Sequence, residues 1–107
     1  MIEITYTHEF RREYKRLAKK YPSLYTDIQK LIINLTENPT TGKPLGSEIF
    51  KIRWPVKSKG KGKSGGIRII THFMFTDNEL VLITIYDKSE KETIPIKEIR
   101  SIIDSTK

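Results

Sequence analysis

The chain contains no cysteine and only two histidines, His8 and His72, among its 107 residues. Disulfide frameworks and cysteine-ligated zinc or iron–sulfur centres are thereby excluded, and two histidines leave little from which to build another structural metal site. Nor is there a run of about eighteen apolar residues of the kind that crosses a bilayer as a helix. The opening segment MIEITYTHEF carries acids and polar groups where a secretory signal would be apolar. These absences predict a cytoplasmic protein with no metal and no cofactor. The length predicts a single domain, residues 1–107.

A further absence says more. From residue 49 to residue 76 there is no aspartate or glutamate, yet the same interval holds Lys51, Arg53, Lys57, Lys59, Lys61, Lys63 and Arg68. Removing these seven from the 20 lysines and arginines leaves 13, which the 13 acids balance, so the whole net charge of +7 resides here. A patch of one sign favours a polyanionic partner, most simply nucleic acid, although an acidic protein surface or a merely solvated lysine loop has the same composition.

Within the interval stands SKGKGKSGG, residues 58–66. Gly62, Lys63 and Ser64 copy the end of a phosphate-binding P-loop, but Lys57 occupies the place of its first glycine. A P-loop also needs a following helix whose amides and dipole hold the phosphates, whereas GIRIITHFMF is rich in β-branched and aromatic residues. The stretch reads instead as a flexible cationic strap that runs into a strand.

Residues 2–6 alternate as a half-buried strand does. Thr7 suits the N-cap of a helix bearing Phe10, Tyr14, Leu17, Ala18 and Tyr21, and Pro22 suits the first turn of a second helix bearing Leu24, Ile28, Leu31, Ile32 and Leu35. So short a link predicts an antiparallel helical hairpin, ended by NPTTGKPLG. EIFKIRWPV then reads as a strand with Phe50, Ile52, Trp54 and Val56 buried and Lys51 and Arg53 opposite, while GIRIITHFMF sets Arg68 and His72 on one face. TDNE is a turn, LVLITIY is apolar enough to be a central strand, and Pro95 opens a last helix marked by Ile96, Ile99, Ile102 and Ile103. The order β-α-α-β-β-β-α predicts an α+β fold, a small mainly antiparallel sheet with the hairpin packed on one face. Lys51, Arg53, Arg68 and His72 are expected on the other.

This order, together with FKIRW, GGIRII and LVLITIYDK, resembles the RelE/HigB family of toxins from bacterial type II toxin–antitoxin modules, part of the RelE/ParE superfamily. KGKGKSGGIRII is similar to the K-G-K-G-K-x-G-G-x-R-I-I signature of a HigB-like branch, and the likeness covers nearly the whole chain. The resemblance implies a RelE-like fold and a metal-free, ribosome-dependent mRNA endonuclease that works in the A site of the 30S subunit, inhibits translation and is neutralised by a cognate antitoxin. Carried over position by position, it implies functional roles for Arg68, Lys51, Arg53 and Lys88. Ser89 and Pro95 stand where classical members carry an arginine and a catalytic tyrosine.

Metal-free RNA cleavage uses the 2′-hydroxyl as an internal nucleophile and leaves a 2′,3′-cyclic phosphate and a 5′-hydroxyl. Positioning and electrostatic stabilisation of the phosphoryl oxygens supply much of the rate. The planar fork of Arg68 suits two such oxygens, and its charge persists at any physiological pH. A lysine base needs its pKa lowered by neighbouring cations, and the residues alone do not choose among Lys51, Lys57, Lys59 and Lys88. Tyr86, at a strand end, suits base stacking or proton donation, or else a half-buried core position. Lys57, Lys59, Lys61 and Lys63 are expected to contact phosphates, and His72 to act near them. Two other functions fit the same residues: a gyrase-poisoning ParE-like toxin, and a non-catalytic RNA- or ribosome-binding module.

Overall fold

In the computed structural model, which describes residues 2–60, 62 and 65–106, Thr7 caps the first helix and ties it to the sheet. Its hydroxyl accepts the Phe10 amide at 2.9 Å and donates to the Ile83 carbonyl at 2.7 Å. Strand β1 (Glu3–Tyr6) thus passes directly into α1 (His8–Lys20), and a short link containing Pro22 leads to α2 (Leu24–Glu37), with Ser23 at its N-cap. Four strands follow, β2 (Lys43–Gly46), β3 (Ile49–Trp54), β4 (Ile67–Met74) and β5 (Glu79–Asp87), and then α3 (Ile96–Ser105). The sheet order is β1-β5-β4-β3-β2; β1 runs parallel to β5 and every other pair is antiparallel.

The α+β fold is the expected one with one strand more. KPLG reads as turn chemistry, yet it forms β2 because an edge position tolerates a proline that cannot donate to the ladder. The expected buried face of β3 is present: Phe50, Ile52 and Val56 pack with Ile67, Ile69 and Phe73 against Phe10, Leu17, Ile28 and Leu31 of the helical hairpin.

On the opposite face the expectation needs correcting. Ile49, Ile70 and Ile83 form a second apolar cluster with Tyr86, Ile94 and Ile99, so α3 and the segment before it lie over part of the surface expected to be open and basic. Three isoleucines on that side would otherwise face water, and the amphipathic α3 supplies the cover.

A β-bulge decides what else reaches this face. Ile70 pairs with Thr84 but Thr71 pairs with Leu82, which leaves Ile83 as an extra residue in β5. Strict alternation would put Leu80, Leu82, Thr84 and Tyr86 on one side. The extra residue reverses the parity, so Ile85 joins Leu80 and Leu82 under the hairpin while Tyr86 turns to the face of α3.

Gly66 closes the loop between β3 and β4 at a point of contact. A Cβ placed there would stand 2.2 Å from the Trp54 carbonyl oxygen, a backbone atom that cannot swing away. Gly66→Ala is therefore expected to lower stability by about 3 kcal/mol. The check is a reduced urea midpoint at unchanged m-value.

Candidate active site

Cross-strand register builds the site. Arg53 in β3 stands opposite Arg68 in β4, and Arg68 stands opposite Tyr86 in β5, so the three share one row on the face away from the hairpin. Two residues back along β3, Lys51 is opposite Lys43 of β2. Two like-charged pairs therefore sit side by side, in positions where like charges destabilise a sheet. Among the described residues, Lys43, Lys51, Arg53 and Lys88 form no salt bridge; the ion pairs lie on α1, between α1 or Lys59 and the end of β5 with its following turn, and between that turn and the start of α3.

Each group responds to this crowding. Burial, and then the charges of Arg68, Lys43, Arg53 and Lys88, lower the pKa of the half-buried Lys51 ammonium. Arg68 is 2% exposed, and burial followed by the charge of Arg53 lowers its pKa as well, without bringing a guanidinium near neutrality at physiological pH. Tyr86 is 4% exposed; burial raises its pKa against the smaller opposing effects of Thr93 and Arg68. Its hydroxyl makes no hydrogen bond of ordinary length and angle among the described residues.

Lys51 stands between two clefts. One, of about 350 Å³, is shared with Lys43, Arg53 and Trp54; the other, of about 370 Å³, lies beneath the start of α3 with Thr93, Ile94, Ile96 and Arg100. Both fall within the size range of small-ligand sites.

No protein-family profile matches the chain. Among solved structures, a metal-bound toxin from Helicobacter pylori aligns at 22% identity and TM-score 0.48, over 85% of this chain and 99% of that one. A double arginine-to-alanine mutant of the toxin RelE from Escherichia coli, in the free state, superposes at TM-score 0.60 and 14% identity, over 85% of this chain and 87% of that one. The chain has a RelE-like fold. Identity this low speaks to architecture and leaves the roles of individual residues to the geometry.

On this RelE-like scaffold the expected site residues divide into three groups. Lys51, Arg53, Arg68 and Tyr86 come together, with Lys88 near enough to act on Lys51. Arg68 and Tyr86 do so as buried groups beside the exposed Arg53: Arg68 is not the open phosphate grip expected, and Tyr86 takes up the core position left open for it.

His72 does not join them. Four residues along β4, about 13 Å from Arg68, it is paired with Ile49 and lines a separate depression with His8, Glu79 and Thr106.

The strap is the third group. Lys61 and Lys63 lie outside the described residues. Lys57 is exposed, but the strap's root is not loose: Lys57–Lys59 form a 3₁₀ turn held by the Asp27 carboxylate on the Lys57 amide at 3.1 Å and by the Ser23 hydroxyl on the Ser58 amide at 2.8 Å. Lys59 is the clear correction. Its side chain is 7% exposed and its ammonium meets the fully buried Asp87 carboxylate at 2.6 Å, over the ring of Tyr21. An ammonium so occupied is not an open RNA contact.

Several residues of the neighbourhood were invisible in the sequence. Lys43 depends on a strand that reads as a turn, and Thr93 and Arg100 depend on where α3 docks. Asp87 carried one signal, an acid ending an apolar strand beside the basic interval.

Proposed function

We propose that the protein, as a single domain of residues 1–107, is the cytoplasmic toxin of a type II toxin–antitoxin module and cleaves mRNA on the ribosome. The observation that carries this reading is the side-by-side placement of Lys43 opposite Lys51 and Arg53 opposite Arg68. Such pairing costs the fold stability and gains it only when a polyanion lies across the face.

Lys51, with its lowered pKa, is the general base that takes the proton from the 2′-hydroxyl. The 2′-oxygen then bonds to phosphorus as the bond to the 5′-oxygen breaks. Arg53, exposed at the edge of the row, holds the phosphoryl oxygens directly, and Arg68 adds its charge from beneath. Tyr86, kept protonated by burial and next to Thr93, which lines the cleft holding Lys51, is the proton source for the departing 5′-oxygen once RNA binding opens its cover. Two titrating groups displaced in opposite directions make a base and an acid. Lys57, Lys61, Lys63 and Lys88 anchor message or ribosomal RNA.

The antitoxin partner of such a toxin presents an acidic segment to the basic face or draws α3 off it. No helix among the described residues is long and apolar enough to cross a membrane.

The test uses translating ribosomes and reads both product ends: a 2′,3′-cyclic phosphate and a 5′-hydroxyl are expected. Inhibition of gyrase supercoiling with intact message would instead identify a ParE-like toxin. The pH profile separates the roles further. Activity rises with pH as Lys51 loses its proton, and Arg53→Gln removes one of the cations that depress its pKa. The rising limb of the variant's single-turnover rate, followed over about pH 6 to 9, is expected to move to higher pH.

A further inference from the structure

A largely apolar depression lies away from the basic row, between α1 and α2 on the hairpin side of the sheet. Tyr6, Phe10 and Tyr14 form a chain of ring contacts along one wall, with centroids 6.2 and 6.1 Å apart, and Tyr25, Ile28 and Ile32 of α2 form the other. Tyr6 and Tyr25 are 59% and 64% exposed, and Ile33, about one helical turn beyond Gln29 in α2, is 66% exposed. A monomeric surface seldom leaves so much aromatic and aliphatic area together without a partner. The volume, about 270 Å³, is below that of an ordinary small-molecule pocket and suits a few side chains projecting from a larger body.

Charge narrows the choice of partner. Arg11 and Lys15, one helical turn apart, border the groove, and no carboxylate lines it. On the other flank of α1, Arg12 and Arg16 are engaged by Glu9, Glu13 and Glu90, whereas Arg11 and Lys15 form no salt bridge among the described residues. Helices laid in a groove offer apolar residues at i, i+3, i+4 and i+7, and the edge beside them meets the rim. We infer that this groove receives an amphipathic helix of a partner protein, with an aliphatic stripe entering between Tyr14 and Tyr25 and acidic residues along the edge that meets Arg11 and Lys15.

The inference rests on the toxin–antitoxin reading only for the source of that helix, which would be the antitoxin. Its consequence is that the antitoxin holds the toxin at a surface separate from the basic row, so holding and blocking are divisible functions. Single-stranded RNA is disfavoured as occupant because the floor is aliphatic, formed by Ile28, Ile32 and Leu82, with two cations against the several around Lys51.

Two labelled helical peptides test it on the full-length protein, both with a leucine stripe at helical spacing, one edged by glutamates and the other by lysines. Fluorescence anisotropy is expected to give saturable binding of the glutamate peptide. Arg11→Glu/Lys15→Glu should weaken it at least tenfold and turn the preference to the lysine peptide, and Tyr25→Ala should weaken both. Lys97→Glu/Arg100→Glu on α3 makes the same change in net charge and should leave the affinity unaltered. Equal loss in the two charge variants, no saturable binding, or displacement of the peptide by an RNA oligomer would overturn the inference. The assay involves no RNA cleavage, so these outcomes are independent of whether the nuclease reading stands.

Discussion

Lys51→Ala is expected to lower the single-turnover rate of message cleavage by about 10²- to 10³-fold while leaving the fold intact. The side chain is half-buried in the middle of β3, faces Lys43 across the ladder and lies in the field of Arg53, Arg68 and Lys88. Deleting it removes repulsion, so the thermal midpoint should stay level or rise slightly even as activity collapses. That opposition marks a residue retained for chemistry. Lys51→Arg should not restore the rate, because a guanidinium keeps its proton and cannot serve as a base. Activity within about threefold of wild type for Lys51→Ala would remove the lysine from the base role. Arg68→Ala is a less direct probe, since that side chain is 2% exposed and its loss leaves a hole beneath the row.

Asp87→Ala is expected to have the largest effect on stability, about 3–5 kcal/mol, or on the order of 20 °C in thermal midpoint for a domain of this size. The carboxylate has no solvent exposure and accepts from the Lys59 ammonium at 2.6 Å, the Ser89 amide at 2.9 Å, the Ser89 hydroxyl at 2.7 Å and the Tyr21 hydroxyl. Removing it strands a buried ammonium and frees the root of the strap from the ends of α1 and β5. Exchanging both partners, as in Asp87→Leu/Lys59→Met, should recover much of the loss, because the stranded charge goes too. If the double exchange is no more stable than Asp87→Ala, the pair is not what holds this corner.

The same group sets the acid limit of the fold. Burial opposes its ionisation, but Lys59, Tyr21 and Ser89 together outweigh that and hold its pKa well below the ordinary carboxylate range. A depressed folded-state pKa gives stability that is full above the unfolded value of about 3.9 and is lost as pH falls below it. Unfolding free energy should thus decline below about pH 4 in the wild type, and less steeply in Asp87→Ala.

These residues also show what a sequence discloses. The hairpin, β3 and β4 were legible because their apolar spacing matches one period throughout, and the row of Lys51, Arg53 and Arg68 follows from alternation once β3 and β4 are paired. Tyr86 escapes that logic, because its side is set by one unpaired residue, Ile83, and a bulge has no signature in a strand apolar on both parities. Lys43 was hidden by a proline that only an edge strand accepts. Lys59 misled for a different reason: in composition it is one more lysine of the strap, and only the long-range approach of Asp87 makes it an internal cation. Local pattern thus predicts faces, while bulges, edges and distant ion pairs decide which groups on a face meet.

The most direct test of the central claim is primer extension on a message under translation in vitro, with wild-type protein, Lys51→Ala and Arg53→Ala in parallel and the same RNA without ribosomes as control. The account predicts new 5′ ends in register with codons for the wild type, their loss in both variants, and an intact naked transcript. An intact message on ribosomes that still bind the wild-type protein would contradict it, and would make the basic row a binding surface without catalysis.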